Sequence, residues 1–343
     1  MIHVFTAIFG SVEQGIIYAI MALGVYLTFR VLDFPDLTVD GSFVTGAATA
    51  ATMITLGYNP IISTLCATLA GFVAGSITGL LHTKAKINPL LSGILMMIAL
   101  YSINLRIMGL TIDTAVGRPN IPLANSDSLF TLFLGFWENL GIDTALNNML
   151  LSLGVEHVPN TWGTIFIMFV LTFAIKFTFD WFLKTEVGLA IRATGDNDKM
   201  IRSFSANTDT LVILGLGLSN GLVALSGALI AQYGKFADVG MGIGMIVIGL
   251  ASVIIGEAIF GTKTIVRTTF AVIFGAIIYR IVLALALQVE FLDTGDMKLI
   301  TAIIVVIALV VPTLRKKRKD KVRKAKRRAE RALAERREAK TIA

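Results

Sequence analysis

Residues Lys184 to Asn207, KTEVGLAIRATGDNDKMIRSFSAN, form a polar segment between two strongly apolar stretches near the middle of the chain. The flanking stretches, 161–182 and 208–232, are each long enough to cross a bilayer, which takes about 20 apolar residues. Two such stretches joined by a charged, helix-forming connection indicate a helical membrane protein. A connection of this kind, held at the membrane surface, is suited to contact a soluble partner.

The composition of the whole chain agrees with this fold class. Hydrophobic residues make up 55% and charged residues 15% of the 343 residues, and the mean hydropathy of +0.78 lies well above that of soluble globular proteins. We therefore predict an all-α, multi-pass membrane protein with about nine transmembrane helices, within a range of eight to ten. The predicted spans are 4–30, 37–57, 60–82, 89–110, 161–182, 208–232, 241–260, 265–288 and 297–314.

The basic residues are concentrated in a C-terminal tail. Residues Arg315 to Ala343 hold 15 of the 30 Lys and Arg residues and four acidic ones. Residues 1–314 contain all the predicted spans and form the transmembrane domain. Basic segments beside a span stay cytoplasmic, so we predict that residues 315–343 are a cytoplasmic tail. The tail suits an exposed helix that contacts anionic membrane lipid, and a specific partner contact is the alternative. Nucleic acid is not an expected partner, because the tail has no aromatic residue to stack on bases.

Alternation of sides from the C-terminus gives each loop a predicted side. The polar segment 184–207 falls inside, and the long loop 111–160 falls outside. This outer loop contains two apolar runs below spanning length, LFTLFLGFW and ALNNMLLSLGV, which we predict to be helices on the outer surface. They either form a structural cap or provide a docking surface for a solute-binding protein.

Glycines are spaced for close helix packing in two of the spans. Gly71, Gly75 and Gly79 recur every fourth residue, and Gly217 and Gly221 repeat the spacing. Such faces let a neighbouring helix approach closely. A further glycine run opens the seventh predicted span and is expected to loosen its outer end; its members are Gly240, Gly242, Gly244 and Gly249.

The sequence shows no catalytic or metal-binding pattern. His3, His82 and His157 are scattered without the spacing of a metal site. The stretch from Gly256 to Thr264 approximates a phosphate loop, but Thr262 separates the glycine from the lysine, and the stretch follows a membrane span instead of a strand. Any ATP must therefore be bound by another chain. The single cysteine, Cys66, excludes an intrachain disulfide.

Polar residues within the apolar spans are candidates for a translocation pathway, because each is costly in hydrocarbon unless it is paired or faces water. An interhelical hydrogen bond or ion pair is the alternative for each of them. The candidates are Glu13, Gln14, Tyr18, Asn104, Arg106, Ser219, Asn220, Glu257 and Arg280.

Three acids, Asp33, Asp36 and Asp40, surround Pro35 between the first two spans. A proline followed by acids predicts a helix N-terminus whose free amides face the carboxylates, so these acids need no ligand. A helix that begins partway into the membrane is allowed where it lines a cavity, and Asp40 is therefore also a pathway candidate.

The stretch TEVGLAIRATGDN from Thr185 to Asn197, continuing to LSNGLVALSGALIA, resembles permeases of ATP-binding-cassette importers for branched-chain amino acids, ribose and related solutes. Their pattern is a basic G-x-x-x-R-A-x-G-x-N segment followed by a short G-I-N-like motif. In this chain Ser205, Ala206 and Asn207 stand at that motif, with serine in place of the glycine. DLTVDG from Asp36 to Gly41 and the span from Gly242 to Glu257 also match. The resemblance covers most of residues 5–312 apart from the outer loop.

The resemblance implies a transport subunit without catalysis of its own, in a bacterial inner membrane. It implies a second permease subunit, most simply in a homodimer, two cytoplasmic ATPase subunits that bind ATP and Mg²⁺, and an extracellular solute-binding protein. By position it assigns the ATPase-coupling role to Glu186, Gly188, Arg192, Gly195, Asp196 and Asn197. A short helix with a glycine at each end is rigid, and its charges can pair with a partner across an interface that transmits force.

The substrate follows from resemblance alone. PDLTVDGSF and MGIGMIVIGLASVIIGE are similar to segments of amino acid permeases, including those for tryptophan or tyrosine. We expect an amino acid, aromatic or branched-chain, with nucleosides, sugars and vitamin-like solutes as alternatives. The alternative class is a secondary transporter or channel that couples ions through Glu13, Glu257 or Arg280, for which the polar segment 184–207 is not required.

Overall fold

The computed structural model describes residues 2–111, 117–124, 126–152, 161–203, 207–288, 299–303, 306 and 310. Within these residues, seven helices are long and apolar enough to cross a membrane. They are α1 (Ile2–Tyr26) with the π-helical turn Leu27–Val31, α3 (Pro60–Thr83), α4 (Pro89–Gly109), α7 (Gly163–Phe182), α9 (Thr208–Gly234), α10 (Met245–Phe260) with the 3₁₀ turn Val239–Gly242, and α11 (Ile265–Ala286). The all-α, multi-pass fold class is confirmed.

Two of the predicted spans are not among these seven. Span 37–57 corresponds to α2 (Thr38–Thr55), which is less apolar than the others. Span 297–314 lies largely outside the described residues, and residues 289–296 before it and the basic tail 315–343 lie outside them entirely. The count of nine and the cytoplasmic C-terminus therefore stay predictions.

Helix α2 is less apolar because it is the central helix of the bundle. Fourteen of its 18 residues are buried, and it contacts α3, α4, α9 and α10. The neighbouring helices α3 and α4 begin after Asn59 and Asn88. In each case the asparagine side-chain oxygen accepts a backbone amide, and a proline is the first residue of the helix. A helix enclosed by other helices tolerates threonine, serine and aspartate, since lipid does not contact it.

The predicted glycine faces are confirmed. Gly71, Gly75 and Gly79 of α3 lie against α9, and Gly217 and Gly221 of α9 face α3. In helices α2 and α9 the contact is equally close: a Cβ on Gly46 would overlap the carbonyl oxygen of Ala224, and one on Gly227 would overlap that of Phe43. Close backbone contact is therefore what holds α2 in the centre.

We expect Gly46→Ala to destabilise the fold by about 1–3 kcal/mol, because the added methyl group must push α2 away from α9. The matched control is Gly10→Ala, since a Cβ at Gly10 would meet no atom within 4 Å and alanine has the higher helix propensity. Recovery of monodisperse protein after heating in detergent measures both. Equal losses in the two variants would contradict the close packing of α2 on α9.

A cap covers the end of the bundle where α2 ends and α3 begins. It contains β1 (Asn120–Pro122), which pairs antiparallel with β2 (Phe236–Asp238), and the helices α5 (Leu129–Glu138) and α6 (Ile142–Ser152). The two short apolar runs of the outer loop are thus helical, as predicted. The Trp137 side chain and the Trp162 backbone amide both donate hydrogen bonds to Asp143, at 2.8 and 3.0 Å. Burial raises the pKa of the Asp143 carboxyl, but these hydrogen bonds outweigh it and hold that pKa below its usual range.

Candidate functional site

The polar segment folds as α8 (Glu186–Ser203), at the end of the bundle opposite the cap. Its helical geometry is interrupted at Asn197, whose side-chain oxygen accepts the amide of Met200 at 3.1 Å and begins a second helical turn. Gly188 lies against the end of α7, and Gly195 lies against the π-helical turn that ends α1. The two glycines therefore attach the first part of α8 directly to two spans.

An ion pair with α9 attaches the second part of α8. The guanidinium of Arg202 lies 3.1 Å from a carboxylate oxygen of Asp198 and 3.4 Å from one of Asp209 in α9, and Lys84 at the end of α3 lies 3.7 Å from Asp209. These groups are partly exposed, so each pair contributes little to stability. Together with the glycine contacts, the Arg202–Asp209 pair ties α8 to α1, α7 and α9.

Arg192 and Asp196 of α8 line a polar cavity of about 640 Å³. The opposite wall carries Arg30, from the π-helical turn, and Glu257, near the end of α10, which form an ion pair. The loop between α10 and α11 completes the lining with Thr262, Lys263 and Thr264. Of the predicted coupling residues, the structure brings Arg192 and Asp196 together at this cavity, while Glu186 is exposed and does not line it.

Asp40 does not face the amides of its own helix, contrary to the sequence-based expectation. Its two carboxylate oxygens accept the backbone amides of Gly244 and Ile246, at 3.0 and 2.8 Å, and so cap the start of α10. Asp36 behaves as expected, since it accepts the amide of Thr38 at 2.9 Å. The difference arises because the side chain of Asp40, one turn further along α2, projects sideways toward α10.

The glycine run before α10 breaks the seventh predicted span. The chain passes from β2 through the 3₁₀ turn Val239–Gly242, and Gly244 adopts a left-handed φ of +88° before α10 begins at Met245. These glycines thus make the helix discontinuous at the start of the seventh predicted span, and the loosening of its outer end stays a prediction. An open cavity of about 480 Å³ lies beside the break, between α2 and α4, and Asp40 and Asn104 line it.

Most of the remaining pathway candidates pack inside the bundle, whereas Arg106 is exposed on α4. The Tyr233 hydroxyl donates to Glu13 at 2.7 Å, the Tyr18 ring stacks on Phe43, and the guanidinium of Arg280 lies 4.0 Å from the centre of the Tyr18 ring. Gln14 is half-buried next to this cluster. Ser219 donates to the carbonyl of Gly24 at 2.7 Å, and Asn220 donates to Asp36 at 2.7 Å. For these residues the contacts match the alternative role of fixing the bundle, through hydrogen bonds at Glu13, Ser219 and Asn220 and through ring contacts at Tyr18 and Arg280.

Sequence reasoning missed Arg30 and a buried ion pair in α7. The ammonium group of Lys176 lies 2.6 Å from Asp180, and both side chains are buried. The signal was present, since a lysine and an aspartate four residues apart in an apolar span lie on one helix face. Arg30 ends the first predicted span, and nothing near it in the sequence indicates that Glu257 is its partner.

Comparisons with known proteins agree with this geometry. The family model for the permease component of branched-chain amino acid transport systems matches residues 7–310. The chain is 42% identical to a tyrosine transport system permease protein of Clostridioides difficile (strain R20291), over 90% of this chain and 92% of the relative. It is 33% identical to an uncharacterized protein of Rickettsia prowazekii (strain Madrid E), over 87% and 95%. It is 24% identical to a ribose import permease protein of Escherichia coli (strain K12), over 73% and 68%.

No solved structure matches the chain. The family match covers most of the chain, including α8, the broken helix and both cavities, and the first relative matches nearly full length. The chain therefore belongs to the family of permease components of branched-chain amino acid transport systems, multi-pass proteins of the bacterial inner membrane.

Proposed function

We propose that this chain is the membrane subunit of an ATP-driven importer and forms the path for a small solute. A separate cytoplasmic ATPase, which binds ATP and Mg²⁺, acts on α8, and an extracellular binding protein delivers the solute. Two copies of the chain enclose the path as a homodimer. The solute is an amino acid, aromatic or branched-chain, because the 42% identical relative is a tyrosine transport system permease protein.

The attachment of α8 carries this proposal. A partner that moves α8 also moves the ends of α1 and α7, because Gly195 and Gly188 leave no gap between the backbones. Tightly packed elements transmit such displacements instead of absorbing them. The cavity lined by Arg192 and Asp196 extends this connection to α10 through Glu257.

The free face of α8 has the composition of a protein interface. Val187, Leu189 and Met200 expose 43%, 49% and 47% of their surface, between the exposed charges of Glu186 and Lys199. Apolar side chains in a rim of charges are the usual arrangement of a contact with a soluble partner. In a secondary transporter this face would have no such partner.

We expect Arg192→Glu to lower recovery of the ATPase with the tagged chain at least about tenfold. In the proposed coupling role the charge of Arg192 pairs with the partner, and reversing it brings like charges together across the interface, which costs several kcal/mol. The measurement is affinity purification from native membranes in mild detergent, with the ATPase identified by mass spectrometry. Gly195 is unsuitable for this test, because any side chain there would displace α1.

The control is Lys235→Glu, an equal charge reversal at the exposed C-terminus of α9 at the cap end, which should leave ATPase recovery unchanged. Unaltered recovery with Arg192→Glu would remove α8 from the coupling role. A parent chain that purifies alone, yet transports in liposomes without ATP, would favour the secondary transporter.

A further inference from the structure

The cavity beside the broken helix lies at the middle depth of the bundle. Its α4 lining runs from Met97 to Asn104, about 12–22 Å along a helix that is about 31 Å long. The other walls are the first turns of α2 and the segment Val239–Ile243. The cavity opens on a side of the bundle where Tyr101 is half-exposed and Ser102 is exposed.

Irregular backbone at this depth fits a cavity that admits water. Within a bilayer, a break in a helix is tolerated only where protein buries it or a water-filled cavity receives its unpaired groups. Here the 3₁₀ turn and Gly244 interrupt the span, and the cavity is adjacent to them. An exposed serine in the middle of α4 fits the same interpretation, because lipid offers its hydroxyl no partner.

The less exposed polar side chains of the cavity, Asn104 and Asp40, have acceptor oxygens, and Tyr101 and Ser102 add hydroxyl groups to its lining. Asn104 is 1% exposed and donates to the carbonyl of Gly41 at 3.2 Å, but its side-chain oxygen has no hydrogen-bond partner among the described residues. Leaving such an atom unpaired costs about 1–3 kcal/mol, which a donor on a ligand would recover. Asp40 is the one charged side chain among the described residues that line the cavity.

A ligand whose only charge is negative is disfavoured here. The amides at the start of α10 would attract a carboxylate, but Asp40 already occupies those of Gly244 and Ile246. The described lining contains no lysine or arginine. The rest of the wall is mainly apolar, with Val44, Met97, Ile98 and Ile243, so it suits the apolar part of a solute.

We propose that this cavity is a solute subsite of the permease itself, which takes a primary ammonium group at Asn104 and Asp40 and an apolar or aromatic side chain over the α4 wall. The inference rests on the proposed function and deepens it. It assigns selection for the ammonium group to this chain, in addition to any selection by the binding protein.

The first test measures the charge preference of the cavity and needs neither ATPase nor binding protein. In the full-length chain with Cys66→Ser, we introduce Ser102→Cys. We then compare how fast two methanethiosulfonate reagents label this cysteine in membrane vesicles, one carrying a trimethylammonium group and the other a sulfonate. Relative to an exposed loop cysteine at Tyr58→Cys, the cationic reagent should be favoured about tenfold, because a cleft lined by one sign of charge concentrates counterions. No reaction at Ser102→Cys, or no cationic preference, overturns the proposal.

The second test measures uptake of radiolabelled L-tyrosine by the complete transporter in proteoliposomes. Asn104→Leu should raise the KM about tenfold, because the acceptor for the ammonium group is lost. The control is Ser42→Ala, which removes a buried α2 oxygen that lies outside the cavity and has no hydrogen-bond partner among the described residues; it should change neither KM nor kcat. A parent-like KM in Asn104→Leu overturns the subsite, whereas failure of the parent complex to couple ATP to uptake overturns the importer.

Discussion

Replacing Lys176 by methionine is expected to lower the free energy of unfolding by about 3–5 kcal/mol, because the change leaves the Asp180 carboxylate buried without its cation. The Lys176 side chain is fully buried and Asp180 nearly so, and the ammonium group also lies 3.6 Å from the centre of the Phe270 ring. Thermal denaturation in detergent, followed as loss of monodisperse protein, measures the effect. A variant as stable as the parent would show that Asp180 is not held as a buried charge.

The double variant Lys176→Met/Asp180→Asn is the control for this prediction. Removing both charges abolishes the unpaired ion, and asparagine keeps the size and the acceptor oxygen of aspartate. Thr269 donates to Asp180 at 2.7 Å and also approaches the carbonyl of Val266 at 3.1 Å, so its hydroxyl stays paired. Most of the lost stability should return, and the non-additivity of the two changes measures their interaction.

Most of the fold was predictable because the bilayer imposes a strong rule on sequence. Every lipid-facing helix must be apolar over about 20 residues, so the boundaries of α3, α4, α7 and α11 agree with the predicted spans to within a few residues. Helix α2 follows a different rule, since its neighbours bury it. Its threonines and serines therefore lower its apolar character without removing it from the bundle.

The candidate site was predictable only where its signal is local. The polar segment, its two glycines and Arg192 stand out by contrast with the spans around them, and α8 carries all of them. Asp40 and Gly244 are 204 residues apart, and Arg30 and Glu257 are 227 apart. No periodicity relates residues at such separations, because their meeting is set by how whole helices pack.

Arg30→Glu is expected to reduce transport at least about tenfold while the ATPase still binds. The Arg30–Glu257 ion pair joins the end of α1 to α10 in the cavity that α8 lines, and a second carboxylate there replaces attraction with repulsion. The half-exposed arginine contributes little to folding stability, so the loss should appear in solute uptake per ATP hydrolysed and not in the amount of folded protein.

The charge exchange Arg30→Glu/Glu257→Arg separates this role from simple packing. If the attraction between α1 and α10 matters, the exchanged pair should restore most of the uptake that Arg30→Glu loses, because the two groups meet again with opposite signs. If the guanidinium of Arg30 instead contacts the ATPase, the exchange should stay as inactive as the single variant. Since Arg192 and Asp196 face the same cavity, restored coupling would place the pair on the path by which a displacement of α8 reaches the broken helix.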